Sequence, residues 1–165
     1  NESGMTRATE WYMRRFYKRF SYIFTRCPLP SMGPLVSTKM VQVQTAVNET
    51  LKDRVVLISI SFDPAYDTPE VLKEYGERYG ADFSNWQFLT GEEAELAAAA
   101  QDANVIYEDM GDGNFTHNMK TVLIGPDGMV RHWFRGSGWK VDEVLQGIQT
   151  VARQRGRTAA PHHDE

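Results

Sequence analysis

The residue best equipped for chemistry is the only cysteine, Cys27, set in the proline-rich stretch Arg26-Cys27-Pro28-Leu29-Pro30-Ser31-Met32-Gly33-Pro34. A lone cysteine is usually a small buried apolar residue. Here it follows a run of β-formers and precedes a helical pattern, between Arg26 and Pro28, so partial exposure is expected. The positive end of the following helix would favour its thiolate, which is both a nucleophile and a soft metal ligand. His117 lies about ninety residues downstream, between Thr116 and a further strand-like run. On its own it reads as a loop histidine bonded to a backbone carbonyl. Brought to the cysteine, a neutral imidazole makes either a metal site or an acid–base-assisted thiol, and the residue types leave both open. Met32 offers a thioether, although packing beneath the elbow is the simpler role. Asp63 and Asp67 either line a site or initiate turns; for Asp67, directly before Thr68-Pro69, helix capping is the simpler role. His162 and His163 read as solvent-exposed polar residues of the tail.

These groups need elements to position them. Tyr22-Ile23-Phe24 leads into the cysteine elbow, and Val36, Met40, Val43, Val47 and Leu51 recur at helical spacing from about 35 to 53. Pro34 suits the first turn of that helix, where its missing N–H is not needed. Val55 to Phe62 is nearly continuously apolar and β-branched, as expected of a strand covered on both faces. Thr68-Pro69-Glu70 supplies a cap, an N1 proline and an early acid for a helix that should stop at Gly80. Trp86–Leu89 reads as a short strand, Glu92–Ala103 as an alanine-rich helix, and Val105–Tyr107 as a brief extended piece before an acidic glycine loop. One strand is expected within Phe115–Ile124, joined through Pro126-Asp127-Gly128 to Met129–Arg135 as a hairpin. Trp139, Val141, Val144, Leu145, Ile148 and Val151 outline a last amphipathic helix.

The 165 residues suit one domain, and 41% apolar with 24% charged content is ordinary for a globular chain. A net charge of −4 speaks against a general nucleic-acid binder. No apolar run reaches membrane-spanning length and no signal peptide is visible; the start at Asn1 instead of Met points to a fragment or processed chain. Residues 1–21 interleave Trp11, Tyr12, Phe16, Tyr17 and Phe20 with Arg14, Arg15, Lys18 and Arg19. They are expected to form a short helix packing its aromatics on the domain, with a segment lying near an anionic membrane surface as the alternative. The expected organisation is thus an N-terminal segment over 1–21, a single α/β domain over 22–153, and a flexible polar tail over 154–165.

Strand, cysteine elbow and helix in that order resemble the active-site architecture of thioredoxin-like proteins, with a central mixed sheet flanked by helices. Ile23-Phe24-Thr25-Arg26-Cys27-Pro28-Leu29-Pro30-Ser31-Met32, then Asp63-Pro64 with Asp67-Thr68-Pro69, then Thr116-His117 before Ile124-Gly125-Pro126-Asp127-Gly128, resemble the SCO/SenC family. The likeness runs from about Tyr22 to Val151; the first 21 residues do not resemble the hairpin and strand the family places there. It implies a thioredoxin-like copper protein that assists assembly of the binuclear copper centre of cytochrome c oxidase. Copper, as Cu(I) or Cu(II), would be held by Cys27 and His117, with Met32 and Asp63 as additional ligand or lining. Gly33 stands where the family has a second cysteine, which would weaken the site and remove the resolving thiol of a dithiol cycle. The implied partners are the copper-bearing oxidase subunit and other copper carriers or thiol reductants. The implied location is the periplasmic face of a bacterial inner membrane, or the mitochondrial intermembrane space, reached through an anchor not seen here. The rival reading is a thiol oxidoreductase or one-cysteine peroxidase with Cys27 as nucleophile and His117 as acid–base partner. On the first reading the protein is a metallochaperone and has no turnover cycle of its own.

Overall fold

The strand Val55–Ser61 (β2) is buried along its whole length, because neighbours cover both of its faces. A computed structural model describes residues 17–52, 54–102, 104–113, 115–118, 120–127 and 129–158. Tyr17–Ile23 (β1) runs parallel to β2, and Trp86–Leu89 (β3) parallel to β2 on its other side. Lys120–Ile124 (β6) pairs antiparallel with β1, and Val130–Arg135 (β7) antiparallel with β6. The sheet order is therefore β3-β2-β1-β6-β7, a mixed sheet with a hairpin at one edge. A second, two-stranded ribbon pairs Tyr107–Asp109 (β4) with Phe115–His117 (β5).

The alternation of β2 sorts its side chains between two cores. Val55 and Leu57 join Val36, Met40, Val43 and Val47 of helix α1 (Gly33–Thr50) and Val144 and Ile148 of the last helix (Val141–Thr158). Val56, Ile58 and Ile60 turn the other way, onto Leu96 and Ala100 of the alanine-rich helix (Glu93–Asp102) and onto Tyr22, Phe24 and Phe62. Helix α2 (Pro69–Tyr79) lays Leu72 and Tyr75 on Ile23. The alanine-rich helix and the last helix are α3 and α4. The α2 boundaries follow their local signals. Thr68 caps through its hydroxyl to the Val71 N–H, and Gly80 closes the helix at φ +78°, a left-handed conformation open to glycine.

Four expectations are corrected. Tyr17–Phe20 extend β1 and are not part of a helix, because β2 and β6 flank them and supply their backbone partners; residues 1–16 lie outside the described residues. The strand expected across 115–124 is two strands, β5 and β6, belonging to different sheets. Asn118 separates them: its N–H donates to the Ile106 carbonyl at 3.0 Å, and its Oδ1 accepts from the Ile106 N–H at 2.8 Å. The tail expected from 154 is helical as far as Thr158 and carries the last helix through Gly156, whose cost in a helix is only about 1 kcal/mol. Asp67, finally, does not cap α2.

Candidate metal centre

Two buried carboxylates hold the elbow between β1 and α1. Asp67 is fully buried and accepts from the Thr25 N–H at 3.1 Å, from the Ser61 hydroxyl at 2.6 Å and from the Thr25 hydroxyl. It ties the first elbow residue after Phe24 to the end of β2, which is why Thr68 is left to cap the helix. Asp63, also buried, takes Nε and Nη2 of Arg26 on Oδ2 at 3.1 and 2.7 Å. The Arg26 guanidinium lies 4.3 Å from the centre of the Tyr66 ring. Its pKa is raised, chiefly by the hydrogen bond to Asp63. Within the elbow, the Cys27 N–H donates to the Phe24 carbonyl at 3.2 Å and the Met32 N–H to the Leu29 carbonyl at 3.0 Å. Successive turns bring Cys27 to the mouth of α1.

Cys27 is free and half-buried, as its position suggested. It packs against the aromatic cluster that contains Phe24 and Phe62, with Tyr107 of β4 on the same cluster. The thiol lies 3.9 Å from the Leu29 carbonyl oxygen, the long contact of a weak sulfur donor. Gly33 opens α1 beside it: a Cβ at position 33 would sit 3.3 Å from Cys27 Cβ and 3.4 Å from its Sγ. One turn further, the Ser37 and Tyr75 hydroxyls share a buried hydrogen bond of 2.7 Å. Burial raises the Tyr75 pKa, partly opposed by the Ser37 bond, and Cys27 is close enough to add to the rise.

His117 ends β5, opposite Tyr107. Its ring stands edge-on to Phe24, with centroids 5.7 Å apart, and tilts over Phe62 at 4.9 Å. Cys27 therefore packs on the hydrophobic cluster that includes Phe24 and Phe62, the two rings that His117 contacts. The His117 Nδ1 lies 3.1 Å from the Asn118 carbonyl. A carbonyl only accepts, so Nδ1 carries the proton and Nε2 keeps its lone pair. That Nε2 is buried and has no hydrogen-bond partner. Burial lowers the histidine pKa below its usual value, against a smaller opposing effect of the Asn118 bond, so the ring is neutral near pH 7. An imidazole oriented through its other nitrogen, with the free nitrogen lacking a partner, has the form of a metal ligand. A thiolate sulfur and an imidazole nitrogen suit copper(I) in kind.

The other candidates stand further back. Asp63 commits Oδ2 to Arg26 and so braces the elbow. Met32 occupies the N-cap position of α1 and is half-buried, outside the core clusters. His162 and His163 lie outside the described residues. Among the described residues, no three His, Cys, Asp or Glu side chains converge as a metal cluster. Sequence reasoning missed the Arg26–Asp63–Tyr66 assembly, the aromatic bed of Phe24, Phe62 and Tyr107, and the orienting carbonyl of Asn118. Arg26 beside Cys27 was the one visible signal; its partner is 37 residues away.

Strand β1, the elbow and α1 on a mixed sheet flanked by helices define a thioredoxin-like protein. The chain belongs to the SCO1/SenC family, whose model matches residues 3–153. That match reaches well into the first 21 residues, which had shown no likeness to the family. The SCO1 protein homolog of Bacillus subtilis is 29% identical over 135 residues, 79% of this chain and 68% of the homolog. The structure of ScoI from Arabidopsis thaliana with copper bound superposes with a TM-score of 0.75 at 24% identity, covering 88% of each chain. BsSco is a member of the Sco family of cytochrome c oxidase assembly proteins in which a disulfide switch has been identified. It gives a TM-score of 0.73 at 26% identity, over 86% of this chain and 82% of BsSco.

Proposed function

We propose that this protein is a copper-binding accessory factor for assembly of the binuclear copper centre of cytochrome c oxidase, with Cys27 and His117 as its protein ligands. The observation that carries the reading is the buried, partnerless Nε2 of His117, whose ring is held by Asn118 over Phe24 and Phe62, two members of the hydrophobic cluster on which Cys27 packs. The copper-bound ScoI fold and the oxidase-assembly role of the Sco family support it. Bound copper would be the protein's cargo. Cys27 supplies a soft anionic donor and His117 a neutral one, so Cu(I) is the favoured state. Asp67, Asp63 and Arg26 keep the thiol in place, and the aromatic bed excludes water from the imidazole. Gly33 in place of a second thiolate weakens retention, which suits an ion that must be handed on. The oxidase subunit that carries copper is the proposed recipient, met at the periplasmic face of a bacterial inner membrane or in the mitochondrial intermembrane space. Among the described residues, no helix is long and apolar enough to cross a membrane.

The test is an anaerobic Cu(I) competition titration on this chain, Cys27→Ser and His117→Ala. Each substitution should weaken retention by about tenfold or more, since even loss of an orienting partner costs 10–100-fold. Equal retention in all three proteins would refute the site. Consumption of peroxide with an external thiol, lost in Cys27→Ser, would move the assignment to a one-cysteine peroxidase.

A further inference from the structure

Strand β7 is an edge of the main sheet. β6 pairs with one side of it, and among the described residues no strand pairs with the other. Its outer backbone N–H and C=O groups are therefore open to an added strand. Five of its six residues are exposed, Trp133 to 40%. Two cavities adjoin the strand. One, about 290 Å³, is lined by Asn104, Lys120, Trp133 and Arg135. The other, about 520 Å³, lies between β7 and α4, with Phe134, Trp139 and Gly147 in its walls. Trp133 and Arg135 line both, so the two cavities flank one stretch of the edge.

The smaller cavity carries a signal of its own. Lys120 and Arg135 stand directly opposite each other in the β6–β7 register, so their side chains rise on one face of the sheet. Like charges set opposite in this way are destabilising. The Lys120 ammonium donates to the Asn104 carbonyl at 2.7 Å and lies 5.4 Å from the centre of the Trp133 ring. Among the described residues, no carboxylate pairs with either cation. Charge alone would only blunt an edge against pairing. Here the two opposed cations share a cavity with an exposed tryptophan. A carboxylate between them would relieve their repulsion and be held by both.

We propose that β7 accepts an extended acidic segment of a partner protein as an added strand, with one carboxylate of that segment seated between Lys120 and Arg135 beside Trp133. Main-chain pairing along the edge supplies affinity, and the cation pair supplies selectivity. The neighbouring side chain of the added strand points to the opposite face, toward the aromatic walls of the cavity at α4. The segment that fits therefore alternates acidic with apolar residues. A second copy of the chain is a poor occupant, because β7 against β7 would add the cations of one edge to those of the other. Neither Cys27 nor His117 takes part, so the surface is independent of the copper reading.

The probe is a capped hexapeptide of alternating glutamate and valine, matched in length to β7 and titrated into the whole isotope-labelled chain. Calorimetry gives the affinity, and amide shifts locate the contact. Binding is expected, with the largest shifts in Val130–Arg135, and it should weaken as salt is raised. Arg135→Gln should lose about tenfold in affinity, the cost of one charge-assisted hydrogen bond. Arg135→Glu should prefer the corresponding lysine–valine peptide. The free Arg135→Gln chain should melt no lower than the parent, since one of two opposed cations is gone, and circular dichroism establishes its fold. Of the two patterns that N-methylate every other amide of the probe, one should abolish binding and the other be tolerated, because only alternate amides face the edge. No binding at millimolar peptide, or equal affinity for the parent, Arg135→Gln and Arg135→Glu, would overturn the proposal. So would a chain dimer that protects the β7 amides and that the peptide does not displace, which would give the edge to a second copy.

Discussion

The two ligands of the proposed site are carried by parts of very different construction. Cys27 sits on an elbow between a central strand and the 18-residue helix α1, fixed by buried carboxylates and by a sheet covered on both sides. His117 sits on β4–β5, a ribbon of two three-residue strands outside the main sheet. A two-stranded ribbon has little stability of its own. This one is held by Tyr107 stacking on Phe62 at 5.1 Å, by the His117 ring contacts and by Asn118 bonding to Ile106 and Asn104. The thiol therefore has the stability of the whole fold, and the imidazole only that of a local docking. A site built this way opens by letting the histidine go, not the cysteine, which suits transfer of an ion.

The sharpest way to break the contrast is to attack the elbow. Asp67→Ala removes the only acceptor shared by the Thr25 N–H, the Thr25 hydroxyl and the Ser61 hydroxyl. Three donors left unsatisfied, the Ser61 hydroxyl fully buried and the two of Thr25 half-buried, should lower global stability by about 3 kcal/mol, read from denaturant midpoints at unchanged slope. A change under about 0.5 kcal/mol, the scale of an ordinary surface substitution, would show that the elbow is not anchored there. Arg26→Gln comes next. It strands the buried Asp63 charge, but the guanidinium is 37% exposed, so water screens part of the loss and about 1–2 kcal/mol is expected.

Tyr107→Leu should act on the other partner in the comparison. Removing the ring stack is worth about 1 kcal/mol. Amide exchange should quicken in Tyr107–Asp109 and Phe115–His117 while β2 amides keep their protection, and copper retention should fall. Uniform acceleration across both regions would mean the ribbon is no separate unit.

The smallest effect is that of pH. His117 has a folded-state pKa below its unfolded value near 6.5, so the unfolded chain binds more protons between the two. Its contribution to stability is full above about 6.5 and is lost as the pH falls through the folded value. His117→Gln should flatten the stability profile over that acidic window. A profile unchanged by the substitution would place the proton elsewhere.

Much of the frame was legible because its causes are local. The apolar stripe of α1, the proline and threonine starting α2, the left-handed Gly80 and the unbroken apolar run of β2 each follow from side-chain spacing or backbone conformation. Cys27 could be placed at a strand–helix elbow for the same reason. Pairing across long separations was not legible. Whether Tyr17–Phe20 extend a strand depends on β2 and β6 flanking them, and the division of 115–124 depends on Asn118 reaching Ile106. Asp67 has the local context of a cap, yet donors from Thr25 and Ser61 claim its carboxylate.

By itself, then, the sequence determined which groups were available: one thiol, an imidazole, a glycine beside the elbow, and the elements that bear them. These follow from periodicity, proline and glycine. Only the tertiary structure decided that Asp63 is committed to Arg26, that burial keeps His117 neutral, and that this histidine presents Nε2 and not Nδ1. Each depends on which distant groups share a buried space, where an unpaired charge or donor is costly and the packing permits one arrangement.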